Sequence, residues 1–204
     1  MAALAVQWCD GAVGLPVAAA SGATPPPVVT VIGLRRQADR ETARLAIRAA
    51  LTDALAAQCG VTPDRVLLHS PSGGAPWASV ELDGGPRPVA LAISHDGDLS
   101  VAAFCFAGAV GIDVSLVVPV PDWEAVARDY LGPAAVQTLA ALPSDARDAA
   151  FARAWSEHEA RLKSLGLQLE EWRAELAPLL AACTCLPLAL PAGYAGYLAL
   201  AAVG

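Results

Sequence analysis

The sequence predicts an α+β fold made of two similar halves, roughly residues 1–106 and 107–204, with the chemistry-bearing residues concentrated in the second. Two observations lead there. Apolar, β-branched runs and helical stretches follow the order strand, helix or helices, strand pair, and that order occurs twice without a residue-level repeat. The strands come in pairs and do not alternate regularly with helices, which argues against a doubly wound parallel sheet. With 204 residues the chain can form one larger domain or two of roughly 100 residues each.

A Pro-rich lead-in, Gly22–Pro27, precedes the apolar run Val28–Ile32, a buried strand by its β-branched content. Asp39 is placed to N-cap a helix that runs to Cys59, with Gly60 at C′. Leu45, Leu51, Leu55 and interleaved alanines supply its apolar face. Arg36, Arg40, Arg44 and Arg48 recur every fourth residue as a basic stripe. Val66–His69 is strand-like and Ser72-Gly73-Gly74 a loop. Val89–Ile93 and Leu99–Phe106 read as strands joined by the polar turn Ser94-His95-Asp96-Gly97-Asp98. Val110–Val114 is a further strand with an acid at its end. Helices follow: Trp123–Leu131 capped by Asp122, Pro133–Leu142 with Pro at N1, and Asp145–Leu165 capped by Ser144 and ended by Gly166. Residues 176–204 carry no charge, a length able to span a bilayer. Pro178, Pro187, Pro191, Gly193 and Gly196 interrupt it, so two short buried strands, Cys183–Leu190 and Tyr194–Ala201, fit better.

Composition narrows the function classes. Against 13 Lys and Arg stand 20 Asp and Glu, a formal charge of −7, so no nucleic-acid partner is expected, since that needs a basic footprint. No stretch is basic enough for an anionic membrane surface. Apolar residues make up 55%, enough to offset the ordering entropy and rule out disorder. Five scattered cysteines read as small buried apolar residues in a reducing compartment. The first residues lack a basic n-region, so a cytoplasmic location is expected.

Three groups of residues can carry chemistry. Asp113 follows Val110-Gly111-Ile112, and a carboxylate there is costly to desolvate unless paired or bound to a cation. Trp155, Glu159 and Lys163 are spaced by four and share a helix face. Taken alone, Glu159 and Lys163 form an ordinary exposed ion pair worth ~0.3–0.5 kcal/mol. Ser94-His95-Asp96-Gly97 alone is a hydrogen-bonded hairpin turn.

Together, Ser94-His95-Asp96, then Gly111-Ile112-Asp113, then the Trp155–Lys163 helix resemble, in order and spacing, the 4′-phosphopantetheinyl transferases. The class most resembled is the Sfp-type, a single chain forming a pseudo-dimer of two α+β halves. Those enzymes share a Gly-Ile-Asp strand, a Trp-x-x-Lys-Glu-x-x-x-Lys helix and a Ser-His turn, and Gly74-Ala75-Pro76 resembles a further family loop. The resemblance covers roughly residues 39–200. It implies transfer of the phosphopantetheine arm of coenzyme A, the co-substrate, to a serine of an acyl or peptidyl carrier protein. It further implies Mg²⁺ (or Mn²⁺) held by Asp113 and Glu159, with Ser115 contributing through water.

By the same resemblance Glu159, Lys163 and His158 are the catalytic residues, with Glu159 the base for the carrier serine. Ser94, His95, Arg40, Arg44 and Lys163 bind the coenzyme, the arginines at its 3′-phosphate, and the protein works as a monomer. The residue chemistry agrees: hard cations take oxygen ligands, and a lysine one turn from Glu159 adds positive charge at phosphates. Three positions depart from the family pattern. Ser115 stands where a second acid is usual, His158 where a lysine precedes the helix glutamate, and Ala75 where the loop is basic. Those departures motivate the alternative, a non-catalytic carrier-protein-binding relative of the same fold.

Overall fold

A computed structural model describes residues 3–9, 29–35 and 39–201. Its strands form two sheets. The first has six strands, β2 (Gln7–Trp8), β3 (Val29–Leu34), β4 (Val66–His69), β5 (Trp77–Leu82), β6 (Gly85–Asp96) and β7 (Leu99–Cys105), in the spatial order β2-β3-β7-β6-β5-β4. The second has four, β1 (Leu4–Ala5), β8 (Val110–Leu116), β9 (Thr184–Ala189) and β10 (Tyr194–Leu200), in the order β1-β9-β10-β8. Apart from the two short N-terminal strands, which pair in parallel with β9 and β3, all pairing is antiparallel. The α+β class is therefore as expected. Residues 4–8 pair with both sheets and strap them together.

The helices complete the layers. α1 (Arg40–Cys59) covers the outer face of the six-stranded sheet, where Ile47, Leu51 and Leu55 meet Val80, Leu91 and Phe104. Val31, Val101 and Ala103 fill the space between the sheets against Ile112, Val114 and Leu198. α4 (Ser144–Ser164) packs on the outer face of the four-stranded sheet. Between β8 and α4 lie α2 (Trp123–Val126), a π-helical turn at Ala127–Leu131 and α3 (Pro133–Ala140), and after α4 comes α5 (Leu176–Ala181). Strand alternation sends Ile112 and Val114 into the core and leaves Gly111, Asp113 and Ser115 facing α4. Gly111 is the closest approach. A Cβ there would overlap the Ala160 carbonyl oxygen and lie 2.5 Å from Ser164 N, so only glycine lets α4 lie so low on the strand.

The helix-end signals are met where their geometry demands them. The Asp39 carboxylate accepts from the Glu41 and Thr42 amides, each at 2.9 Å. Gly60 (φ 67°) and Gly166 (φ 69°) end α1 and α4 in left-handed conformations. Val61 N donates to Ala56 O at 3.0 Å and Leu167 N to Leu162 O at 2.9 Å, closing both ends with the bond pattern of a Schellman motif.

Several sequence expectations need correcting. Asp122 makes no capping bond, and the helix expected at Trp123–Leu131 changes to a π turn after one turn. Ser144 lies inside α4 and does not cap it. Leu45 is 65% exposed: it sits about 200° around the helix from Ile47, off the 47/51/55 stripe. Ser94, His95 and Asp96 are not in a turn. β6 runs through them, paired with Val101, Ser100 and Leu99, and only Gly97 and Asp98 turn the chain. The strand expected at Val28–Ile32 is Val29–Leu34, and Val28, Gly22–Pro27 and Arg36 lie outside the described residues. Among the described residues no helix is long and apolar enough to cross a membrane.

Candidate active site

The free edge of β8 runs along the end of β6, and side chains of β6 satisfy its outward amides. Val114 N donates to Ser94 Oγ at 3.3 Å and Leu116 N to Asp96 Oδ2 at 2.7 Å. These bonds replace the partner strand an edge otherwise lacks. They also bring Ser94 to Asp113, and the hydroxyl donates to Asp113 Oδ1 at 2.8 Å.

From the other side α4 adds its i, i+4 pair. Lys163 Nζ donates to Asp113 Oδ1 at 2.6 Å and stands 3.8 Å from Glu159 Oε2. Lys163 thus joins two carboxylates that lie 46 residues apart in sequence. This is no ordinary surface ion pair, because the Asp113 and Glu159 side chains are only 9% and 18% exposed. Burial pushes the Asp113 carboxyl above its usual range, against the pull of Lys163 and Ser94. Burial also raises Glu159, opposed by Lys163 and reinforced by the Asp113 charge.

A cleft of about 340 Å³ opens over these groups, and Arg40, His95, Asp96, Ser115 and Trp155 complete its lining. A neighbouring cavity of about 280 Å³ shares Ile93, Glu159 and Lys163 and extends to Gly74-Ala75-Pro76 and Gly166–Leu169. His95 Nδ1 is hydrogen-bonded to Ser100 Oγ at 2.7 Å. Burial, then the nearby Arg44, Arg40 and Lys163 charges, lower its pKa and favour the neutral ring. The site therefore has an anionic floor bridged by one ammonium and a cationic rim from the first turns of α1.

Of the residues expected at the site, Ser94, His95, Asp113, Ser115, Glu159, Lys163 and Arg40 converge on this cleft, and Arg44 lies close enough to act on His95 electrostatically. Arg48 does not join them, since its guanidinium is spent on Ser70 Oγ at 2.8 Å and Leu68 O at 3.2 Å. His158 is the main departure. It lines a different cavity, on the other flank of α4, because one helical position turns a side chain by about 100° from Glu159. Asp96 and Trp155, present in the motifs but given no role by the sequence, also line the cleft. Asp96 shares the Ser94 face by strand alternation, a signal hidden while the segment is read as a turn.

Oxygen donors dominate the floor, as a hard divalent cation prefers. Among the described residues no group of three or more His, Cys, Asp or Glu is arranged to hold a metal. The set fits a cation that takes two carboxylates and completes its shell with water and substrate phosphate, as Mg²⁺ does.

Residues 109–179 match the model of the 4′-phosphopantetheinyl transferase superfamily. That interval holds β8 and α4, and with them Asp113, Ser115, Glu159 and Lys163. Among individual proteins the chain is similar to the 4′-phosphopantetheinyl transferase HetI of Nostoc sp., with 28% identity over 134 residues, 64% of this chain and 56% of that protein. It is also similar to slr0495 of Synechocystis sp., provisionally given the same activity by name. There the identity is 27% over 135 residues, 66% of this chain and 54% of the relative. The chain thus aligns with little more than half the length of each.

Proposed function

We propose that this protein is a 4′-phosphopantetheinyl transferase that moves the phosphopantetheine arm of coenzyme A onto a serine of an acyl or peptidyl carrier protein. The observation that carries the reading is the convergence of Asp113 and Glu159 on Lys163 in a cleft rimmed by Arg40. A buried carboxylate pair repels itself, and a polyanionic substrate with a cation gives the two a reason to stay together. The similarity of residues 109–179 to the superfamily supports the same assignment.

In this reading Asp113 and Glu159 hold Mg²⁺, with Ser115 assisting through water. When bound, the cation offsets charge on the diphosphate and on the departing 3′,5′-ADP. Lys163 and Arg40 neutralise the phosphate oxygens, His95 orients the diphosphate through its Nε2, and Ser94, whose hydroxyl donates to Asp113, contributes to the coenzyme site by holding that carboxylate in place. Glu159, directly or through a water, accepts the proton as the carrier serine Oγ attacks the phosphorus that bears the pantetheine arm. The new Ser O–P bond forms as the bond from that phosphorus to the 3′,5′-ADP oxygen breaks. The equivalent connectivity of β3-α1-β6-β7 and β8-α4-β9-β10 supports a pseudo-dimer of halves 1–106 and 107–204, with the cleft at their junction. The protein acts as a cytoplasmic monomer in this account.

The test is mass spectrometry of an apo carrier protein incubated with the chain, coenzyme A and Mg²⁺. The expected result is a gain of one phosphopantetheine unit that a chelator abolishes and that Glu159→Gln greatly slows. Binding of the carrier without any gain, across a panel of acyl and peptidyl carriers, would favour the non-catalytic relative.

A further inference from the structure

β6 and β8 belong to different sheets, and side chains make the joint between them. Ser94 and Asp96 supply two rungs, accepting from Val114 N at 3.3 Å and Leu116 N at 2.7 Å. A third rung follows at the same two-residue interval. Asp98, in the turn beyond β6, is held from β10 by Tyr194, whose hydroxyl accepts from Asp98 N at 3.2 Å and donates to Asp98 Oδ1 at 2.7 Å. Ser94, Asp96 and Asp98 thus form one seam, and Tyr194 closes its outer end.

The surroundings are shaped for that contact. Tyr194 is the first residue of β10 and stands opposite Leu116 on β8, so the second and third rungs land on one cross-strand pair. Gly97 (φ 55°) lies under the phenol, and a Cβ there would collide with the Tyr194 hydroxyl. The turn therefore needs glycine both for its left-handed backbone and for room beneath the ring. Burial, then the bond to Asp98, push the Tyr194 pKa up, so the hydroxyl keeps the proton it donates. Asp96 stiffens the same turn, its Oδ1 accepting from Gly97 N at 2.8 Å.

The inner end of the seam is the cleft itself. Ser94 donates to Asp113 Oδ1 at 2.8 Å, the oxygen that also receives Lys163. A small displacement of β6 along this joint moves that hydroxyl off the carboxylate, and active centres lose rate steeply when their groups shift by an ångström. From this arrangement we infer that Tyr194 is a positioning residue of the transferase centre: by clamping Asp98 it keeps the hairpin tip seated on β8 and so holds Ser94 against Asp113. The consequence for catalysis rests on the transferase reading; the clamp itself does not.

Hydrogen exchange on the full ¹⁵N-labelled chain reads the clamp without any turnover. The rungs protect the Val114 and Leu116 amides, whereas those of Asp113 and Ser115 point the other way, toward β10. Tyr194→Phe keeps the ring and removes both bonds of the hydroxyl, so Leu116 should exchange about tenfold faster. Val114 should follow by a smaller factor, and Asp113 and Ser115 should keep their parent rates. Asp98→Ala, which takes away the acceptor and leaves the tyrosine intact, should also speed Leu116, and Asp98→Asn, which retains an acceptor, should restore the parent rate. With coenzyme A, Mg²⁺ and an apo carrier protein, Tyr194→Phe should lower kcat severalfold at a nearly unchanged KM for coenzyme A, because the arginine rim is untouched. Parent exchange at Leu116 in Tyr194→Phe, or an equal rise at every β8 amide, overturns the proposal. So does faster Leu116 exchange with an unchanged kcat, since the clamp then positions nothing that reacts. A parent chain without turnover would instead remove the transferase reading, and the Leu116 rates would still decide the clamp.

Discussion

Replacing Lys163 with methionine keeps most of the aliphatic stem and removes the ammonium that sits 2.6 Å from Asp113 Oδ1 and 3.8 Å from Glu159 Oε2. At the shorter separation the gross attraction is ~6 kcal/mol at an effective dielectric constant of ~20. Desolvation costs several kcal/mol per ion and offsets most of that. The Lys163 side chain is 32% exposed, so solvent screening trims the remainder, and Asp113 keeps its bond from Ser94. The expected Lys163–Asp113 coupling energy is therefore about 2 kcal/mol, measured as a double-mutant cycle with Asp113→Asn.

The pH dependence has a definite sign. Asp113 and Glu159 are both raised by burial and both pulled back down by Lys163. A carboxyl with a raised folded pKa stabilises the fold below its unfolded value, and that contribution is lost as pH climbs through the folded value. Without Lys163 both carboxyls move further up. The variant should thus lie closest to the parent in acid and fall increasingly behind as pH rises from about 4 toward neutrality. Urea unfolding in chelator-containing buffer at a series of pH values, on all four proteins of the cycle, measures this. A Lys163→Met penalty that is constant with pH, or undiminished in the Asp113→Asn background, would show that stem packing and not charge accounts for it.

Two further outcomes follow from the geometry. Gly111→Ala should cost about 3 kcal/mol or more in chemical denaturation, because its methyl meets the backbone of α4 and no flexible side chain can yield. In whatever folds, the Asp113–Lys163 coupling should shrink, and a change under ~1 kcal/mol would contradict the packing described. If the transferase reading holds, Arg40→Ala with Arg44→Ala should raise the KM for coenzyme A more than for dephospho-coenzyme A, as expected of a guanidinium at the 3′-phosphate. Arg48→Ala, which removes only bonds to Ser70 and Leu68, should leave both values unchanged; equal effects of the double variant on the two substrates would remove the assignment.

Much of the site is legible one element at a time. Glu159 and Lys163 share a face by the helical period, and Asp113 and Ser115 share one by the strand period. Their grouping with Ser94 and His95, however, came from the order of the motifs and not from the local pattern. Other elements were hidden for physical reasons. β1 and β2 are two-residue strands that exist only because each sheet offers an edge. β5 buries Ala78 and Val80 but turns its largest apolar residue, Trp77 at 39% exposed, to the outer face, so its hydrophobic pattern points the wrong way. The Ser94–Asp96 stretch looks like a turn because its side chains are polar, yet a strand can bear polar groups where they bond a neighbouring edge.

By itself the sequence determined the parts whose cause is local. Asp39 and the two left-handed glycines fix the ends of the long helices, because capping satisfies backbone groups within a few residues. The apolar runs determined most of the strands and, through alternation, the outward face of Asp113. Only the tertiary structure decided the distances. Gly111 lets α4 settle onto β8, and the Ser94 and Asp96 bonds hold β6 against the same strand. Together they bring the Glu159 and Lys163 face of α4 onto Asp113. Those outcomes depend on how deeply two surfaces interpenetrate and on which amides an edge strand leaves open. Both are properties of pairs of elements distant in the chain, and no window along the sequence contains both members of the pair.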